Sequence, residues 1–217
     1  MKPKMKTKEL TSLAVFAAVA FVAMVLIKVP VVQWLKYEPK DIILVIASFI
    51  YGPVPGLFAA IAVAAVEMLT VSDTGIIGLL MNILASGIYC VTASFIYSRR
   101  RTLSGAIIGL VSASALTVVA MLLWNWLVTP LYMGVPREMV VEMLLPVFLP
   151  FNSIKVAINS ACAMLLYNPI VTALRKAHLL PPKQTNGQKK MLPVILSLLG
   201  AAIILAGAIA LIITQTF

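Results

Sequence analysis

Asn152, Lys155 and Asn159 lie in the stretch LPFNSIKVAINS at spacings of i, i+3 and i+7. On a helix beginning near Phe151 that spacing places all three in one stripe facing a common space. An ammonium and two carboxamides offer donors and acceptors together, which suits a ligand rich in carbonyl and hydroxyl groups. The chain continues ACAMLLYNPIV, fit for a membrane interior, and polar or ionisable groups within membrane segments are costly and mark functional sites by default. A second reading of Lys155 stands beside the first: about one turn into its helix, it can snorkel to the outer headgroups.

Other polar and aromatic residues fall near the same face. WNWLVTPLYMGVP sets Asn125 between Trp124 and Trp126, with Tyr132 and Gly134 after Thr129-Pro130; VVQWLKYEPKD supplies Trp34 and Tyr37. Aromatics at this depth anchor a chain at the membrane interface, yet a pocket for a flat heteroaromatic ligand also needs apolar or aromatic walls with a few fixed polar groups. Glu67 either accepts a hydrogen bond from a ligand hydroxyl, pairs with Lys155, or sits solvated at the interface. Asn82 either meets the ligand or satisfies a neighbouring helix.

Catalytic chemistry is poorly provided for. Cys90 and Cys162 sit within apolar runs at no metal-ligand spacing, and the lone His178 lies in a basic linker. They read as two small hydrophobes and a solvated side chain. There is no GxxxxGK[ST], HExxH or GxSxG motif, so the sequence encodes no recognisable ATP hydrolysis, zinc protease or hydrolase chemistry. No enzyme, no metal and no cofactor is expected.

These side chains must be held by membrane helices. Of 217 residues, 62% are hydrophobic and 11% charged, and the mean hydropathy is +1.05. That is more apolar surface than one small soluble core can hide. The net charge of +10 is spread between apolar runs rather than gathered on one face, which argues against a nucleic-acid partner. Long, unalternating apolar runs predict helices, because only helices and closed barrels satisfy their backbone in lipid. The runs are 10–27, 42–51, 57–69, 76–97, 106–128, 151–174 and 192–213. The second and third are short and meet at YGPVPG, whose glycines and prolines force a reversal. MKPKMKTKE and the run after it read as a first helix rather than a signal peptide, since no small-residue cleavage site follows.

Basic residues favour the cytoplasmic side in short loops. The clusters Lys2 to Lys8, Arg99 to Arg101, and Arg175 to Lys190 fall on one side if every run crosses, so the amino terminus is expected in the cytoplasm. The outer loops are then 28–41, 70–75 and 129–145, holding every acidic residue except Glu9 and Glu67.

LKYEPKDI (35–42), YGPVPG (51–56), NWLVTPLYMG (125–134) and LPFNSIKVAIN (149–159), in this order, resemble the riboflavin-binding S components of energy-coupling factor (ECF) vitamin transporters. The similarity runs from about residue 10 to about 177. It implies an all-α integral membrane protein of the bacterial cell membrane, with a six-helix substrate-capturing core at 10–177 behind a basic segment at 1–9. Riboflavin would bind as transported substrate beneath the first outer loop. A transmembrane coupling subunit and two ATPase subunits would supply energy, the capture subunit toppling in the bilayer to deliver the vitamin. By that resemblance Leu35 and Tyr37 cover the isoalloxazine ring, and Asn125, Asn152 and Lys155 bind the ring edge and ribityl hydroxyls. Asn159, Tyr132, Glu67 and Asn82 join them. Riboflavin lacks a phosphate, so one cation among neutral donors suffices, whereas a flavin nucleotide favours several basic groups; Lys36 and Arg137 in the outer loops keep nucleotide binding open.

Ala14 and Ala18 form a small-xxx-small pair on the first helix, a spacing that lets a partner helix approach closely, and the resemblance implies that this pair docks the coupling subunit. Ala60 and Ala64 repeat the spacing, and Ala17 lies beside the first pair. Beyond the resemblance, 178–190 reads as a polar linker and 191–217 as an additional C-terminal transmembrane helix. Three alternatives remain open: an S component for another vitamin or a flavin nucleotide, a self-sufficient transporter using Glu67 as proton carrier, and a membrane enzyme acting on a lipid-linked substrate.

Overall fold

The computed structural model describes residues 5–32, 35–177 and 179. Seven α-helices account for most of them: α1 (Thr7–Leu26), α2 (Lys40–Tyr51), α3 (Pro53–Thr70), α4 (Gly75–Arg99), α5 (Leu103–Met133), α6 (Arg137–Met143) and α7 (Leu149–Lys176). One departure from an all-α fold is an antiparallel hairpin between α1 and α2, formed by β1 (Val29–Val32) and β2 (Leu35–Tyr37). Its sequence, rich in Val and aromatic residues, favours extended backbone. The hairpin pairs Val29 with Tyr37 and Val32 with Leu35, with a register shift between Pro30 and Val32.

Among the described residues, five stretches are long and apolar enough to cross a bilayer: α1, α3, α4, α5, and the continuous 137–176. This is a multi-pass membrane protein. At 12 residues, α2 rises only about 18 Å, short of a hydrocarbon core of about 30 Å. Beyond Lys40 and Asp41 it is almost wholly apolar, and Leu44, Val45, Ile46 and Ala47 are each 0% exposed, as befits a helix enclosed by others. Its neighbours are α1, α3, α4 and α7. The outer helices reverse the pattern of a soluble protein: Val15, Val19 and Val22 on α1 and Val111 and Val119 on α5 are exposed, forming the surface that lipid wets.

YGPVPG reverses the chain more sharply than its composition suggests. Only Gly52 lies between α2 and α3, and Pro53 opens α3, so the prolines belong to the first helical turn, where their missing N–H is no loss. Gly52 has φ 100 and ψ 173, a region essentially restricted to glycine. An added Cβ there meets nothing within 4 Å, so the penalty of a side chain is one of backbone alone. Gly52→Ala is expected to destabilise the protein by about 1–3 kcal/mol, read as a lower thermal midpoint in detergent; an unchanged midpoint would show the turn to be tolerant. At Gly109 a Cβ would lie 2.6 Å from the Ala93 carbonyl oxygen, so glycine permits the close contact of α4 with α5.

The outer connection expected at 129–145 is mostly helical. α5 continues through Pro130 to Met133, and α6 follows after three residues. Residues 144–148 (LLPVF) form a π-helical turn leading into α7. The run 192–213, His178, Trp34, Lys2 and Lys4 lie outside the described residues.

Ala14 and Ala18 are exposed and Ala17 is half-buried, whereas Ala60 and Ala64 are 1% and 2% exposed. The same spacing thus serves internal packing on α3 and leaves a smooth outer face on α1. Cys90 is buried, Cys162 is half-buried, and both are free thiols.

Candidate functional site

The hairpin, the N-termini of α2, α4 and α7 and the C-terminal ends of α3 and α5 meet at one end of the bundle, around a cavity of about 230 Å³. Of the residues singled out from sequence, Leu35, Glu67, Asn82, Asn125, Tyr132, Asn152, Lys155 and Asn159 all line it. Residues far apart in the chain therefore converge, through the up-and-down course of the helices. Phe148, Phe151, Met81 and Met121 add apolar wall.

Tyr37 does not line the cavity; it stands behind the wall and donates its hydroxyl to Asn159 Oδ1 at 2.9 Å. Ile154 and Ile158 pack against its ring, which fixes the hairpin onto α7. Burial, with smaller contributions from Cys162 and Asp41, raises its phenol above the ordinary range, so Tyr37 remains a neutral donor. The Asn159 carboxamide is thereby oriented, with Nδ2 3.5 Å from Asp41 Oδ2.

Two consecutive residues at the start of α2 organise the charges. Lys40 points toward α3, where it pairs with Glu67 and lies 3.4 Å from Glu38; Asn82 Nδ2 donates to the other Glu67 oxygen at 2.9 Å. Asp41 faces α4 and α7 instead. It accepts from Ser86 Oγ at 2.5 Å and lies 3.8 Å from Lys155 Nζ. The side chains of Lys40 and Asp41 are 2% and 5% exposed, a burial that ionised groups reach only when paired and hydrogen-bonded. Glu67 therefore pairs with Lys40, not with Lys155, and Asn82 serves both its neighbouring helix and the cavity wall. Lys155 is 18% exposed and is held by a carboxylate at the cavity rather than snorkelling free of the fold.

The carboxamides are set by their own helices. Asn125 Nδ2 donates to the Met121 carbonyl at 2.7 Å and its Oδ1 accepts from Thr129 Oγ1 at 2.9 Å. Asn152 Nδ2 donates to the Phe148 carbonyl at 2.8 Å, and its oxygen is left to accept. Thr117 also lines the cavity, 5% exposed, and its hydroxyl has no partner among the described residues. An orphaned buried hydroxyl is costly unless something binds it. Sequence reasoning passed over Thr117, although Thr117, Met121, Asn125 and Thr129 form a readable i+4 stripe. It also missed Lys40 and Asp41, which KYEPKD presents as part of a wet loop. Their signal was an acidic residue placed just where an apolar helix begins, favourable to its dipole.

Trp126 is 38% exposed, and the Arg137 guanidinium sits over its ring at 5.3 Å. Arg137 is thus engaged outside the cavity, at the start of α6 rather than in a loop.

Comparison with known proteins agrees with this architecture. The "Riboflavin transporter RibU" of Staphylococcus aureus (strain TCH60) is 28% identical over 181 residues, covering 79% of this chain and 94% of the relative. The "Riboflavin transporter FmnP" of Bacillus subtilis (strain 168) is 25% identical over 194 residues, covering 81% of this chain and 100% of the relative. A solved structure described as the S component of a bacterial ECF transporter superposes with a TM-score of 0.67 at 26% identity, covering 79% of this chain and 99% of that one. The family profile for the substrate-specific component of ECF transporters matches residues 8–167, and the chain belongs to that family.

Proposed function

We propose that this chain captures riboflavin at the outer face of a bacterial cell membrane and delivers it with energy from partner ATPases. The observation that carries the reading is the cavity into which α3, α4, α5, α7 and the hairpin bring the Lys155 ammonium, four carboxamides and apolar walls. Such a set matches a flat heteroaromatic ring edged with carbonyls and bearing a hydroxylated chain. Two relatives named as riboflavin transporters support the choice of vitamin. Leu35, behind which Tyr37 locks the hairpin, covers the ring; Asn125, Asn152, Lys155 and Asn159 provide polar contacts, with Tyr132 at the rim. Glu67 and Asn82 act chiefly by holding Lys40 and the wall. Riboflavin is substrate here, and no cofactor is invoked.

The amino terminus lies in the cytoplasm in this reading, with 10–177 as the capture domain, 178–190 as a linker and 191–217 as a further transmembrane helix. The exposed pair Ala14 and Ala18 docks a transmembrane coupling subunit, which brings two ATPases. A self-sufficient proton-coupled carrier is less well supported, because Glu67, its required proton carrier, is tied to Lys40 and Asn82.

Proteoliposomes separate the two. Containing this chain alone, they are expected to bind riboflavin without accumulating it; adding the coupling subunit, both ATPases and ATP is expected to produce uptake. Accumulation by the chain alone under a proton gradient would overturn the partner-dependent reading.

A further inference from the structure

Lys155 is not a free cation waiting for a ligand. Its ammonium lies 3.8 Å from Asp41 Oδ2, and Asp41 is itself fixed, with Ser86 donating to one oxygen at 2.5 Å and Asn159 facing the other at 3.5 Å. If the site only needed an acceptor for Ser86, a neutral asparagine would serve. A carboxylate 5% exposed is costly to bury, so its presence calls for a use of the charge.

The rest of the cavity repeats the balance. Three lysines line it, Lys28, Lys36 and Lys155. Against them stand four carboxylates, those of Glu38, Asp41, Glu67 and Asp73. Lys40, tucked behind and paired with Glu38 and Glu67, brings the total to four cations and four anions. Lys28 lies 3.7 Å from Glu38. A neutral ligand meets a lining whose charges balance in number and in which Lys28, Lys40 and Lys155 each already have a carboxylate nearby. A phosphate dianion drawn to Lys155 has to compete with Asp41 and then remain beside a carboxylate held by Ser86. Rejection by a pre-placed like charge is a recognised source of specificity.

We propose that Asp41 is a specificity-determining residue, whose carboxylate neutralises Lys155 so that the cavity accepts an uncharged flavin and rejects its phosphorylated form. The inference rests on the riboflavin reading above and adds to it the ligand's charge state and the residue that enforces it.

The test is a pair of titrations, with riboflavin and with flavin mononucleotide, on the full chain in detergent. Asp41→Asn keeps the shape and an acceptor for Ser86 while leaving Lys155 uncompensated. The ratio of nucleotide to riboflavin affinity is expected to rise about tenfold over the unmodified protein, equivalent to about 1.4 kcal/mol. The converse variant, Lys155→Gln, keeps Asp41 and removes the cation, and the same ratio is expected to fall. A ratio unchanged in Asp41→Asn, with both ligands weakened alike, would reduce Asp41 to a structural group and overturn the proposal. Should Asp41→Asn fail to fold, an unchanged ratio in Lys155→Gln overturns it equally. Failure of the unmodified protein to bind either flavin would defeat the riboflavin reading itself, an outcome distinct from a riboflavin binder whose selectivity ignores Asp41.

Discussion

Lys155→Met is expected to lower riboflavin affinity by about 10- to 150-fold, the loss of a charge-assisted hydrogen bond worth about 1.5–3 kcal/mol. Lys155 sits on the stripe with Asn152 and Asn159, lines the cavity and is largely buried. Its removal also leaves Asp41 without its cation, so part of the loss comes from the wall around the ligand. Lys36 lines the same cavity but is exposed on the hairpin, where water screens its charge. Lys36→Met is expected to change affinity by about twofold at most, in the range of exposed charge interactions. Fluorescence quenching of riboflavin by each variant gives the comparison; equal, small effects would return Lys155 to a headgroup-anchoring role.

The second large effect concerns stability. Lys40 is 1% exposed, bonded to Glu67, close to Glu38 and 3.8 Å from the Met24 sulfur. Lys40→Met strands the Glu67 carboxylate in the bundle, and breaking such a buried pair costs about 3–5 kcal/mol. Lys28→Met removes a partner of Glu38 whose side chain is 31% exposed, and is expected to cost no more than about 1 kcal/mol. The double variant Lys40→Met, Glu67→Met should recover much of the loss, because two apolar side chains need no compensation, and the recovery measures the coupling. Thermal unfolding in detergent reads all three. A Lys40→Met midpoint no lower than that of Lys28→Met would show that the pair carries no structural weight.

Much of the site was legible because it is written in helical spacing. Asn152, Lys155 and Asn159 declare one face of one helix, and a polar stripe in an apolar run is too costly to keep unless the protein uses it. The ends of α3 and α5 added Glu67 and Asn125 by the same reasoning. What sequence alone could not give was the pairing of charges. Lys40 and Asp41 belong to a polar hexapeptide that looks solvated; the helices packed around the start of α2 bury them, and only the fold shows that they reach different partners, one on α3 and one on α4 and α7. For Glu67 the sequence offers a ligand hydroxyl, Lys155 or solvent, and the position of α2 gives it Lys40 instead.

The helices themselves followed from apolar runs, and their boundaries did not. Pro53 was read as a breaker but serves as a helix start, since proline's fixed φ suits the first turn. The apolar run 106–128 stops short of Pro130, yet α5 passes through it; helices in a membrane bundle tolerate proline where neighbouring groups satisfy the freed backbone. REMVVEM, rich in charge, gave no reason to expect α6. It is a short helix lying against the π-helical turn and the end of α5, and contacts of that kind leave no periodic trace in the chain.

The measurement that tests the central claim most directly is a titration of the purified chain with riboflavin, followed by absorbance and by fluorescence quenching. Saturable quenching at one vitamin per chain, or a preparation already yellow as isolated, is the result expected of a riboflavin-capturing subunit. A folded protein that leaves riboflavin fluorescence untouched would contradict that claim while leaving its place among the substrate-specific components of ECF transporters intact.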